Sequence, residues 1–148
     1  MYASILVAID GSAVSHRALE EALTIARALK ASVHAVHVIQ TGTYPTLTLN
    51  ELEPPDMARQ ALFESLEREA DEILADAERR AAGAGLPITV HKRWGHPGAE
   101  ITALAQELGT DLTVVGSHGR GRLDRFFLGS VSSYVVDHAT SSVMVVRG

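Results

Sequence analysis

The sequence predicts an α/β fold, a five-stranded parallel sheet of the Rossmann-like type with helices on both faces, and three observations carry that prediction. Five short apolar segments rich in β-branched residues, at Ile5–Ile9, Val33–Ile39, Ile88–Trp94, Leu112–Val115 and Val143–Val146, have the length and composition of strands. Stretches of helical period lie between them, and strand–helix alternation kept up along the chain implies parallel strands joined by right-handed crossovers. The first and fourth segments are almost uninterrupted apolar runs, as central strands covered on both faces require. The second and third carry His34, His37, His91 and Lys92, which places them toward the periphery.

The helices follow in order. Val14, Ala18, Ala22, Ile25, Ala26 and Leu29 form one stripe behind Ser12, a residue suited to N-capping. Leu62, Leu66, Ala70, Ile73, Ala77 and Ala81 form a longer stripe that stops at Gly83 and Gly85. A third helix is expected from Pro97 to Gly109, with Ile101, Leu104, Ala105 and Leu108 inward, and a fourth from Ser130. The segment Thr41 to Pro55, rich in proline and threonine, has no period and reads as a long surface loop, either a lid over a ligand or a plain connector. The last strand has only Arg147 and Gly148 after it. An apolar edge left bare is an aggregation hazard, so a homodimer pairing this strand through Val143 and Val145 is expected.

Composition narrows the function classes. A chain of 148 residues suits one domain, which buries roughly two thirds of its unfolded surface. Hydrophobic residues at 46% and charged residues at 21% make a globular balance, and no apolar run approaches the roughly 20 residues that cross a bilayer. Met1 to Asp10 has neither a basic lead-in nor a cleavage site, so a cytoplasmic protein is expected. The absence of cysteine excludes disulfides and thiolate chemistry. A net charge of −5 argues against general nucleic-acid binding, whose affinity comes mostly from cations neutralising phosphates.

The chemistry concentrates after the fourth strand. From Val114 the chain reads Val-Val-Gly-Ser-His-Gly-Arg-Gly-Arg-Leu-Asp-Arg-Phe-Phe-Leu-Gly-Ser-Val-Ser-Ser. Gly116 follows a buried strand directly, Gly119 and Gly121 permit tight turns, and Gly129-Ser130 sits where a helix starts. Free backbone N–H groups in such a turn and at the helix N-terminus point toward an anion, Ser130 and Ser132 add hydroxyls, and Arg120, Arg122 and Arg125 add local positive charge. Two phosphate motifs fail here. A P-loop would need Lys and Ser or Thr where Arg122 and Leu123 stand, and a dinucleotide fingerprint would need glycine at Asp124.

A third pattern fits. Gly116, two residues, Gly119, nine residues and then Gly129-Ser130 reproduce the G-2x-G-9x-G-(S/T) signature of ATP-binding universal stress proteins, a family that the chain resembles. Val7-Ala8-Ile9-Asp10-Gly11-Ser12 is similar to that family's first strand and acidic turn, Val36-His37-Val38 to the end of its second strand, and Ser142 to Val146 to its closing strand. Gln40 to Asp56 is the least family-like stretch. The resemblance implies an adenine nucleotide alpha hydrolase-like sheet of order 3-2-1-4-5 and a dimer pairing its fifth strands antiparallel. It implies that the backbone near Ala8 and Val38 borders adenine, and that Asp10 lies near the ribose or metal-bound phosphates. It also implies that Gly116, Ser117, His118, Gly119, Arg120 and Gly121 contact ribose and phosphate, while Gly129, Ser130, Val131 and Ser132 hold the phosphate tail.

Physical reasoning adds its own support, since ligands of open parallel sheets bind beyond the carboxyl ends of strands where the order reverses, here between strands one and four. A carboxylate repels bare phosphate, so Asp10 in such a site meets ribose hydroxyls or a Mg²⁺ ion; Asp10 could equally make a loop hydrogen bond to the first helix, and both roles can coexist. His34 and His37 point to opposite faces of their strand and cannot share a metal, which leaves them structural or surface residues. His118 could touch a ligand or simply be exposed. No G-x-S-x-G elbow supports a hydrolase triad, and no aromatic platform accompanies the arginines for nucleic acid. The leading expectation is an ATP-binding stress or signalling module, with bound Mg²⁺, little turnover and a protein partner the sequence does not name. A slow ATPase or phosphotransferase is one alternative, for which no Walker lysine is present; a nucleotide-free dimeric interaction module is another, opposed by the intact glycine spacing.

Overall fold

A computed structural model describes residues 1–41, 56–118 and 128–148. Strands β1 (Ser4–Ala8), β2 (Ser32–Gln40), β3 (Thr89–Gly95), β4 (Leu112–Gly116) and β5 (Ser142–Val146) form a five-stranded sheet of order β3-β2-β1-β4-β5, with every neighbouring pair parallel. Helices α1 (Ala13–Leu29), α2 (Asp56–Gly83), α3 (Pro97–Leu108) and α4 (Ser130–His138) alternate with the strands. The fold class and the strand order are those expected. Of the predicted loop Thr41–Pro55, residues 42–55 lie outside the described residues, as do residues 119–127 with Gly119, Arg120, Gly121, Arg122 and Arg125.

Alternation along the strands sorts the core into two layers. Ile5, Val7, Val33, Ala35 and Val114 pack against Ala18, Leu19, Ala22 and Ala26 of α1 and against Leu74, Ala77 and Ala81 of α2. Leu6, Val36 and Val115 pack against Ile101, Leu104 and Ala105 of α3 and Val135 of α4. The predicted stripes omit Leu19, Leu23 and Leu74, all buried, because the apolar faces of α1 and α2 are wider than a single row of residues.

The helix ends have local causes. Ser12 caps α1 as predicted, its Oγ accepting the Ser15 N–H at 3.2 Å. Before α3 the cap is His96, whose Nδ1 accepts the Ala99 N–H at 3.2 Å, with Pro97 at the first helical position and Gly109 closing the helix at φ 66°. Helix α2 begins at Asp56, well before Leu62, the first residue of its predicted stripe. Where α3 meets α4, Gly98 is buried, and a Cβ built there would lie 2.7 Å from the Cγ and Cδ1 atoms of Tyr134. Only glycine lets the two helices come this close.

Strand β1 stops at Ala8, one residue before the predicted end. Ile9 keeps its N–H on the Val36 carbonyl at 2.9 Å, and the chain then turns away at Asp10 and Gly11, whose φ of 82° is open chiefly to glycine. Strand β2 runs on to Gln40, paired there with β3 alone. The unequal strand ends leave a notch at the carboxyl edge of the sheet.

Candidate functional site

Beside this notch, the turn after β1 is held by its own side chains. The Asp10 Oδ1 accepts the Ser12 N–H at 2.9 Å, an Asx turn, while the Asp10 N–H reaches Ser15 Oγ at 3.3 Å and that hydroxyl donates to the Ser12 carbonyl at 2.9 Å. The loop hydrogen bond considered for Asp10 is therefore present, and it engages one carboxylate oxygen. The Oδ2 atom makes no hydrogen bond to the described residues.

The segment after β4 is anchored at Ser117. Its N–H donates to the Val146 carbonyl at 2.8 Å, and its carbonyl accepts both the Gly129 N–H at 2.6 Å and the Ser132 hydroxyl at 3.0 Å. Ser132 Oγ also lies 3.0 Å from the Gly129 carbonyl. Ser117 and Ser132 are each 1% exposed, so the Ser132 hydroxyl, expected to face a phosphate, instead ties the start of α4 to the end of β4. His118 Nδ1 is 3.2 Å from Ser117 Oγ. Gly129 is the N-cap of α4 and has no side chain to cap with, and the first intrahelical donor is the Ser133 N–H, bonded to the Gly129 carbonyl at 3.0 Å. The N–H groups of Ser130, Val131 and Ser132 thus lack intrahelical acceptors, and the helix dipole makes this end attractive to an anion.

These pieces enclose a cavity of about 550 Å³, within the range of roughly 300–1,000 Å³ typical of small-molecule sites. Of the predicted site residues, Ala8, Asp10, Val38, Gly116, His118, Gly129, Ser130, Val131 and Ser132 line it. Ser117 lies buried beneath it, and Gly119, Arg120 and Gly121 are outside the described residues. Sequence reasoning missed Ser15, Val36, His37, Pro97, Ile101 and Val115, which also line the wall. The aliphatic ones are core positions of the layer under α3 and α4, and the cavity opens where that layer meets the carboxyl edge of the sheet. The site therefore has an apolar end, formed by Ala8, Val36, Val38, Ile101 and Val115, and a polar end at Asp10 and the start of α4. Such a wall accommodates a flat apolar ring at one side and an anionic tail at the other.

A second groove of about 460 Å³ between α1 and α2 carries Glu72, Asp76, His16 and Arg80, and Glu69, which lines both cavities, and it has no helix N-terminus among its lining residues. Asp76 is held below the usual carboxylate range there chiefly by its hydrogen bond to Arg80, at 2.7 Å. His91, Lys92, Arg93 and Asp111, whose protonation the fold also shifts, line neither cavity. Among the described residues no group of three or more His, Cys, Asp or Glu side chains could hold a metal ion alone, and no helix is long and apolar enough to cross a membrane.

Comparison with known proteins matches this arrangement. The sequence model of the universal stress protein family fits residues 1–147. The universal stress protein YxiE of Bacillus subtilis is 34% identical over 148 residues, covering 99% of this chain and 100% of the relative. Among solved structures, the universal stress protein UspA from Lactobacillus plantarum superposes with a TM-score of 0.81 at 28% identity, covering 99% of this chain and 98% of that one. The universal stress protein from Archaeoglobus fulgidus in complex with dAMP superposes at 0.70 with 25% identity, covering 98% of both chains. Sheet order, glycine spacing and whole-length similarity converge on one conclusion: the chain belongs to the universal stress protein family.

Proposed function

We propose that this chain binds an adenine nucleotide in the cavity at the carboxyl edge of its sheet, with ATP and Mg²⁺ as the working ligand, and that occupancy rather than turnover is its output in stress signalling. The observation that carries the reading is the meeting, in one cavity, of an apolar slot with the uncapped N-terminus of α4. The dAMP complex of the Archaeoglobus fulgidus relative supports the choice of adenine. In this reading the base lies between Ala8 and Val38, and the phosphates reach the N–H groups of Ser130, Val131 and Ser132. Gly116 and His118, on the same wall, meet the ribose and phosphates. Asp10 Oδ2 meets a ribose hydroxyl or one position of Mg²⁺, which characteristically takes one or two carboxylates together with phosphate oxygens and water. Bound Mg²⁺ would neutralise phosphate charge; the chain itself supplies orientation.

The same reading includes a homodimer through β5, the edge strand next to β4. The direct test is to denature the purified protein, identify any released nucleotide, and titrate ATP, ADP, AMP and cyclic AMP with and without Mg²⁺. ATP should bind most tightly, and Asp10→Ala should weaken it by about tenfold or more, the size expected for one charge-assisted contact. A protein that binds none of the four nucleotides would remove the proposal.

A further inference from the structure

The notch beyond β1 poses a bonding question. In a parallel ladder the N–H and C=O of one residue face the same neighbour, and successive residues alternate between neighbours. The Val36 carbonyl accepts from Ile9, so Val36 and Val38 turn their backbone groups toward β1, and His37 turns its own toward β3. The next rung would run from the Val38 N–H to the Ile9 carbonyl. It is absent: the ladder register ends at Ala8 opposite Val36, and among the described residues no backbone bond joins Val38 to Ile9. The Ile9 carbonyl is instead 2.8 Å from Nδ1 of the His37 ring. A carbonyl can only accept, so Nδ1 carries the hydrogen and donates it. A side chain has taken the place of the backbone donor.

We infer that His37 is the positioning residue of the base subsite: by occupying the Ile9 carbonyl it leaves the Val38 N–H and C=O, a donor beside an acceptor, for the 6-amino edge of a purine. The inference rests on the nucleotide reading above and adds what sets the choice of base. Adenine offers a ring-nitrogen acceptor next to an amino donor, the complement of that backbone pair. A 6-oxo purine offers a donor next to an acceptor and meets like with like. The Val38 edge belongs to the cavity wall together with Ala8 and Ile9, so a base in the apolar end can reach it. The backbone groups make the contact; His37 acts through Ile9 by keeping them free.

The test compares ATP with ITP, its 6-oxo counterpart, by calorimetric titration. The wild-type protein should prefer ATP by about tenfold or more, as sites that read a hydrogen-bonding edge do. His37→Leu cannot donate, which leaves the Ile9 carbonyl to the Val38 N–H; its ATP affinity should fall to within about threefold of ITP, with ITP binding unchanged. His37→Asn, whose side-chain N–H can reach the same carbonyl, should restore the preference. Amide exchange in the wild-type protein gives a reading independent of any variant. Free of nucleotide, the Val38 N–H should exchange much faster than that of Val36, and ATP should slow it about tenfold while ITP does not. Equal preference in His37→Leu and wild type, or a Val38 amide already protected without ligand, overturns the role of His37 and leaves nucleotide binding intact. Binding of neither nucleotide removes the functional reading and this inference with it.

Discussion

Three histidines illustrate how much a single residue can do that its type does not announce. His96 caps α3 with a ring nitrogen, a task usually given to Ser, Thr, Asp or Asn. His96→Ala should therefore lower stability by about 1 kcal/mol in urea denaturation, and His96→Asp should retain it, since a carboxylate both accepts the Ala99 N–H and complements the helix dipole. His91 sits beside His34 on the neighbouring strand, with Nε2 3.0 Å from the His34 Nδ1. Burial first, then the charges of His34 and Arg93, hold its protonation below the usual histidine value of 6.5. The unfolded chain binds this proton more readily, so the contribution is complete above pH 6.5 and is lost as pH falls toward the folded value. Denaturation midpoints should drop from pH 7 to about pH 5, and His91→Gln should flatten that drop. Neither role is legible in the sequence, because each depends on a partner brought near by folding. Asp10 was legible as a site residue from the strand-and-turn pattern around it, whereas His37 was read as a structural or surface residue.

At the scale of elements, Gly98 and Tyr134 fix the approach of α3 to α4. Gly98→Ala drives a Cβ into the Tyr134 ring and should cost roughly 1–3 kcal/mol, the range for overpacking a tight contact. The same substitution in a Tyr134→Ala background should cost less, though not nothing, because the Cβ of residue 134, 2.8 Å from the added methyl, remains, and thermal unfolding of the four proteins in the cycle measures the difference. The strands were easy to read because their apolar runs are short, β-branched and bounded by turn residues, and Ser12, Pro97 and Gly109 marked helix ends correctly. Strand limits shift by a residue elsewhere too, and two boundaries have causes that the local sequence does not show. Ile9 continues the apolar run of β1, and only the His37 ring, distant in sequence, explains why the ladder ends before it. The start of α2, Asp56 to Gln60, has no inward apolar stripe, and its Met57 is exposed.

For the molecule as a whole, the edge position of β5 bears on assembly. The Val146 carbonyl faces β4 through Ser117, so Val143 and Val145 turn their backbone groups outward. If the proposed dimer pairs these edges, Val145→Pro removes an outward N–H without touching the β4 ladder, and sedimentation at micromolar concentration should change from dimer to monomer while circular dichroism stays the same. A wild-type protein that sediments as a monomer would dismiss the pairing. The last consequence belongs to the Ser117 carbonyl, which receives donors from both Gly129 and Ser132. Departure and return of the intervening chain are riveted at one atom, so its length is decoupled from the scaffold. Lengthening it by a few residues should leave the melting temperature nearly unmoved, because closure entropy grows only slowly with length, so stability and ligand binding can be varied separately at this point of the chain.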